Sequence, residues 1–265
     1  MNKLTFLSAG HTRAGITRLA SPGDLGEAIK PFVFLDRFAV PASGAMMAMH
    51  PHSGIATVTV VLDGALAFRD STGQHGVLPA GGVEWMSAGG GVWHTGGAAN
   101  GTGVRGFQLW LALPPEDENS PAHSLYLAPE RVPASGPARV IVGSYDGVAS
   151  AIQPRAPLNY LHVKLGDGER WTYTPPAGHE VSWLAVASGA LQVGAATVQQ
   201  QIAVFDDGSA PIEMQASGAT EFVLGSAARH PYSLVTGYYS VHTNAAALRR
   251  GEAEITRIGA RLNAA

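Results

Sequence analysis

The sequence predicts an all-β chain in two similar domains, closed by one C-terminal helix. Three observations predict it. Gly 33 and Pro 17 among 265 residues suit many short strands joined by tight turns. Apolar residues come in short alternating runs. The period changes only at the end, where Asn244 is a good N-cap and Ala245 to Leu262 reads as helix.

Composition narrows the function classes. Hydrophobic residues make up 46% and charged residues 14%, enough for a sizeable core and against disorder. A net charge of −3 offers no footprint for direct nucleic-acid contact. The absence of cysteine excludes disulfides, thiolate metal sites and cysteine nucleophiles. No run approaches the length of a membrane span, and Met1 to Leu7 is too short and weakly charged for a signal peptide. The expectation is a cytoplasmic protein that does not engage membranes.

Residues 1–30 form a polar lead-in, with His11 at the surface or in a turn. Pro31 to Phe38 alternates as a strand, which Pro41 to Gly44 breaks. Met46, Met47 and Met49 then suit core filling or a pocket lining. Thr57 to Leu62 and Ala65 to Phe68 are apolar runs flanking Asp63-Gly64. That pair reads as a two-residue hairpin turn, because both central residues need positive φ. In the polar loop Arg69 to Gly76, Arg69 and Asp70 pair locally and His75 is solvated. Val83 to Met86, the turn Gly89 to Gly91 and Val92 to His94 follow. Val104 to Leu113 is a further strand, and His123 lies at the surface.

From Pro129 to Pro137 the composition shifts to Pro, Ala, Ser and Gly. The predicted domains are therefore 1–130 and 131–265. Strands continue at Arg139 to Gly143, Tyr160 to Leu165, Val181 to Ala187, Ala190 to Val193, Gln201 to Phe205 and Thr220 to Leu224. Trp183 to Leu191 echoes Val58 to Leu66, with Gly64 and Gly189 lying 125 residues apart. The half-chain period points to duplication of a domain. In the final helix, Leu248, Ile255, Ile258 and Leu262 mark a docking face and Gly251 a loosened point.

The histidines carry the candidate chemistry. His50 and His52 lie two apart, so on a strand both imidazoles face one way. His94 follows a turn and a strand, as a third ligand from a neighbouring strand would. Neutral imidazole suits zinc, iron, copper and nickel. Spacing alone leaves a metal site and a structural pair both open.

Met49 to Thr59 resembles the first motif of the pirins, a branch of the cupin superfamily, which reads His-Pro-His-Arg-Gly-Phe-Glu-Thr-Val. The similarity continues through Leu62-Asp63-Gly64, Arg69-Asp70-Ser71, Gly82 to Gly89, Val92-Trp93-His94 and Gln108 to Pro114. Pro31-Phe32, Leu35-Asp36 and Phe38 match ahead of it. Gly237 to Asn244 matches more loosely behind it. The resemblance implies two β-barrel (cupin/jelly-roll) domains packed together. The second would lack the histidine set, and His162, His179, His230 and His242 indeed show no His-x-His.

Pirins hold a divalent metal, usually iron, with three histidines and one glutamate. The histidines carry over onto His50, His52 and His94. The glutamate falls on Gly96, and the first-motif glutamate on Ala56. Three outcomes stay open. The first is a three-histidine site for iron, with zinc, manganese, nickel or copper as alternatives. The second is a site with a recruited replacement, Glu84 or His75 being nearest in sequence. The third is a site without metal. The resemblance implies a metal-dependent dioxygenase of quercetin-like flavonols or related small molecules, with Met46, Met49, Trp93 and Phe107 as candidate walls and no catalytic residue assigned. Its alternative is a non-catalytic regulatory protein with a protein partner and a weakened or lost site.

Overall fold

Ile55–Asp70 is one strand of 16 residues, and no hairpin turn forms at Asp63-Gly64. Of the two residues expected at positive φ only Gly64 has it, and it serves a bulge and not a turn. Gly64 has φ +74, and a Cβ there would lie 1.8 Å from the Gly103 carbonyl oxygen. The opposing register skips a residue here, Arg105 facing Asp63 and Gly106 facing Val61. This is a bulge that bends the strand. Ahead of the bend it pairs with Val83–Ser87 and Val104–Ala112; beyond it, with His75–Pro79 and Val92–Ala98. The chain reverses instead at residues 71–74. There Asp70 accepts hydrogen bonds from the Thr72 and Gln74 amides, from Thr72 Oγ1, and from Ser124 and Tyr126. Asp70 is thus a buried turn cap; no ion pair with Arg69 is found among the described residues. Burial pushes its carboxyl up, but these hydrogen bonds outweigh burial and hold it below the usual range.

The computed structural model describes residues 2–44, 47–99 and 101–264. The fold is all-β with a C-terminal helix, in two units. One comprises Met1–His11 and Val132–Arg229; the other comprises Thr12–Arg131 and His230–Ala265. The linear division at 130/131 therefore needs its chain ends exchanged. The reason is pairing: Leu4–Ser8 joins Ile202–Phe205, while the C-terminal helix contacts His50–His52, Val92–Ala98 and Ser240–His242.

Among the described residues, the first unit holds a nine-stranded antiparallel sheet. Val181–Val193 runs through it as one strand where the sequence suggests two, with Gly189 at φ +75. The echo between Gly64 and Gly189 is thus a shared bend in a long strand. A large apolar cluster in this unit includes Tyr173, Leu184, Met214, Phe222 and Leu224.

The second unit is built around a ten-stranded sheet among the described residues. Its buried apolar residues include two separate clusters. One holds Val33, Phe34, Ile55, Met86, Val92 and Trp110; the other holds Val61, Leu78 and Val104. Phe107 is fully buried in a central strand. A cavity of about 970 Å³ opens in this unit.

The helix Ala245–Ala264 begins at Asn244, whose Oδ1 accepts from the amides of Ala246 and Ala247. Gly251 does not loosen it. A Cβ there would meet Ser53 Oγ at 2.4 Å and His242 Nε2 at 2.6 Å, so the glycine permits close docking. The residues 235–244 leading into it are fastened by Glu118. This buried carboxylate accepts from the Thr243 amide and hydroxyl, both at 2.7 Å, and from His242 Nδ1 at 3.1 Å. His242 Nε2 in turn meets Ser53 Oγ at 3.0 Å.

Two predictions follow from these buried groups. Glu118→Ala strands three donors and should cost about 3 kcal/mol in denaturant unfolding; a loss under about 0.5 kcal/mol would show that the fastening is unimportant. The second concerns pH. Burial lowers the pKa of His179, His230 and His242, and pushes His50 down to about 4. These rings stay neutral when folded, whereas the unfolded chain takes up protons near about 6.5. Stability should hold above about pH 6.5 and fall as pH drops toward 4. Thermal melts of metal-free protein that stay flat from pH 7.5 to 4.5 would contradict this.

Candidate metal centre

The pairing of two short strands assembles the histidines. His50–His52 lies antiparallel to Val92–Ala98, with His50 opposite His94 and His52 opposite Val92. His50, His52 and His94 offer ligand atoms that all lie within 4.8 Å of one another. His52 Nε2 and His94 Nε2 are 3.0 Å apart. Two nitrogens at right angles about a metal, with bonds of about 2.1 Å, take a separation of about 3 Å.

Two of the rings are also fixed in tautomer. His50 Nδ1 lies 2.9 Å from the Ala48 carbonyl oxygen, and His52 Nδ1 lies 3.0 Å from that of Tyr239. A carbonyl only accepts, so each Nδ1 carries the proton and each Nε2 presents a lone pair. Burial, followed by the neighbouring histidines, holds His52 well below the usual imidazole range, and burial followed by His94 does the same to His50. Both are neutral and ready to ligate at physiological pH. The donor set therefore fits a divalent metal ion.

Of the two replacement candidates, the structure brings one to the site. His75 is exposed, and its Nδ1 sits 3.4 Å from the Gly73 carbonyl. Glu84 is buried and lines the cavity with the three histidines. Its Oε1 is 3.8 Å from His94 Nδ1, the nitrogen away from His52. Gly96 lies at the cavity wall without a side chain.

Glu84 belongs to a polar row that sequence reading missed. Arg18, Asp36, Gln108, Thr59, Glu84 and Tyr126 come from six adjacent strands and stand opposite one another in register. Cross-strand partners share a face, and all but Tyr126 line the cavity. Arg18 donates to both Asp36 oxygens at 2.5 and 3.2 Å. Thr59 Oγ1 contacts Glu84 Oε2 closely and Gln108 Oε1 at 3.2 Å; Tyr126 OH donates to Glu84 Oε1 at 3.4 Å. Gln108 Nε2 is buried with no hydrogen-bond partner among the described residues.

The walls differ from those expected. Met46 lies outside the described residues, and Met49 and Phe107 do not line the cavity; Met47 does. Trp93 serves the helix instead, its Nε1 donating to the Ile255 carbonyl at 2.7 Å. The aromatic wall is Phe34 stacked on Trp110 with centroids 4.1 Å apart. Arg18 sits 4.0 Å over Phe34, and His52 meets Trp110 edge-on at 4.8 Å. Phe38, Leu66 and Phe68 add further apolar surface.

Comparison with known proteins identifies the family. The Pirin family model matches residues 14–111. A pirin-like protein of Caulobacter vibrioides is 32% identical over 74% of this chain and 73% of its own length. A Pseudomonas aeruginosa protein provisionally named a quercetin 2,3-dioxygenase is 30% identical over 79% of each. The crystal structure of an Escherichia coli bacterial pirin in complex with nickel(II) superposes with a TM-score of 0.70 at 19% identity, covering 85% of this chain and 99% of that one. With its bicupin fold and its three clustered histidines, the chain belongs to the pirin family.

Proposed function

We propose that His50, His52 and His94 hold one divalent metal, iron in the first instance, and that the chain oxidises an aromatic small molecule of flavonol type with molecular oxygen. The observation that carries this reading is the 3.0 Å approach of two Nε2 atoms, with His52 held by the Tyr239 carbonyl. The relative provisionally named a quercetin dioxygenase and the nickel-bound bacterial pirin support it. A metal held there supplies a Lewis-acidic point for a substrate oxygen and open positions beside the three ligands.

The chain's own residues do the rest. The Phe34–Trp110 stack and Phe68 offer flat apolar faces to a planar ring system. Gln108 Nε2 offers an unused donor to a substrate oxygen, which would relieve its missing hydrogen bond. The apolar walls exclude water from the oxidised ring.

Gly96 favours a second reading, a regulatory protein whose site has lost an acidic ligand and its chemistry. Metal analysis of protein purified without added metal, with oxygen uptake on a flavonol panel, separates the two. The enzyme reading expects bound metal and turnover after loading with iron, manganese, nickel or copper. No metal and no turnover with any of the four would end it. His94→Ala should weaken metal binding by more than about 100-fold, beyond the 10–100-fold typical of an outer partner; retained metal would remove His94 from the site.

A further inference from the structure

We infer that Glu84 is the carboxylate of this metal site, acting from outside the coordination shell by accepting the Nδ1 proton of His94. The inference rests on the three-histidine reading above and adds a positioning residue to it.

Burial is the first argument. Glu84 is 3% exposed, and a buried carboxylate needs compensation. Its hydrogen-bond donors, Thr59 and Tyr126, are neutral. Among the described residues its one ion-pair partner is His94, and only if that ring is charged. A cation behind His94 resolves the mismatch, because its charge is felt through the imidazole.

Geometry is the second. His94 turns Nε2 toward His52 and Nδ1 toward Glu84. This is the order of a metal, an imidazole and an outer carboxylate. The 3.8 Å separation is about 1 Å longer than a hydrogen bond. Glu84 falls outside the group whose ligand atoms lie within 4.8 Å of one another, so it is placed as an outer partner and not as a fourth ligand.

Register is the third. Glu84 stands directly between Thr59 and Tyr126 on neighbouring strands, so pairing fixes its position. Position 96 competes for nothing: a Cβ there would meet the Ala67 carbonyl oxygen at 3.4 Å and Leu66 Cδ1 at 3.5 Å, ordinary contacts. A Cβ is sterically admissible at 96, yet the chain places its acid at 84.

The test is titration of the metal-free protein with nickel(II), with X-ray absorption on the loaded forms. Glu84→Gln should lower nickel affinity about 10–100-fold, leave the three imidazoles bound, and leave the melting temperature of the metal-free protein no lower than that of wild type. Adding Gly96→Glu to that variant should restore affinity through a new carboxylate oxygen on the metal. Equal affinity in wild type and Glu84→Gln would overturn the inference. So would a nickel-bound oxygen in wild type that Glu84→Gln removes, since Glu84 would then be a ligand. If Glu84→Gln fails to fold, Thr59→Val frees the carboxylate and should weaken nickel binding less, in the same direction; no change would overturn the inference. Wild type that binds no nickel, iron, manganese or copper would overturn the three-histidine reading itself.

Discussion

The antiparallel pairing of His50–His52 with Val92–Ala98 is the constraint on which the site depends. Side chains alternate along a strand, so a slip of one residue would turn His94 away from its partners. A three-residue strand cannot hold such a register alone. Here it is held from both sides. The Tyr239 carbonyl orients His52, and the Ser53–Ser240 bridge ties the neighbouring residue to the same C-terminal segment. That segment is fastened in turn by Glu118 and by a helix that docks through Gly251. The last thirty-odd residues thus help hold the histidine cluster in place, although they stand far from it in sequence.

Each unit contains a long strand bent at a left-handed glycine, and they put that bend to different use. In one unit a large apolar cluster fills the space beside it. Several of the unit's buried polar groups satisfy one another, as Tyr173, Ser226, His179 and Asn159 do. In the other, six strands contribute one polar residue each to a row across the sheet, and the apolar core parts around a cavity. Polar groups in a barrel interior cost stability unless they are paired. Within the row every member has a hydrogen-bond partner, but Gln108 Nε2 has none among the described residues and the donors to Glu84 are neutral. A ligand and a metal-bound histidine would meet those two.

The sequence made the histidines legible because a period of two places them on one face without any knowledge of the fold. The strands were legible for the same reason. Asp63-Gly64 was misread because positive φ serves a bulge as well as a turn, and only the strand beyond it decides which. The polar row was not legible at all. Each member sits alone in its own strand, and register exists only once strands pair. Tyr239 was hidden more deeply, since it acts through a backbone carbonyl that any residue carries. Trp93 looked like a wall because it precedes a ligand; alternation puts it on the opposite face, under the helix.

The position of the acid then determines what such a centre can do. A carboxylate bound to the metal would cancel part of its charge and occupy a position. Placed behind His94, a carboxylate would instead strengthen that imidazole as a donor and leave the position free. The metal would keep more of its positive charge facing the cavity, where a substrate oxygen would meet it. A fourth protein ligand is given up, yet the site need not be without an acid. Gly96 read alone suggests a retired centre. Gly96 read together with buried Glu84 would instead describe a centre that draws its negative charge from a neighbouring strand, behind one of its three histidines.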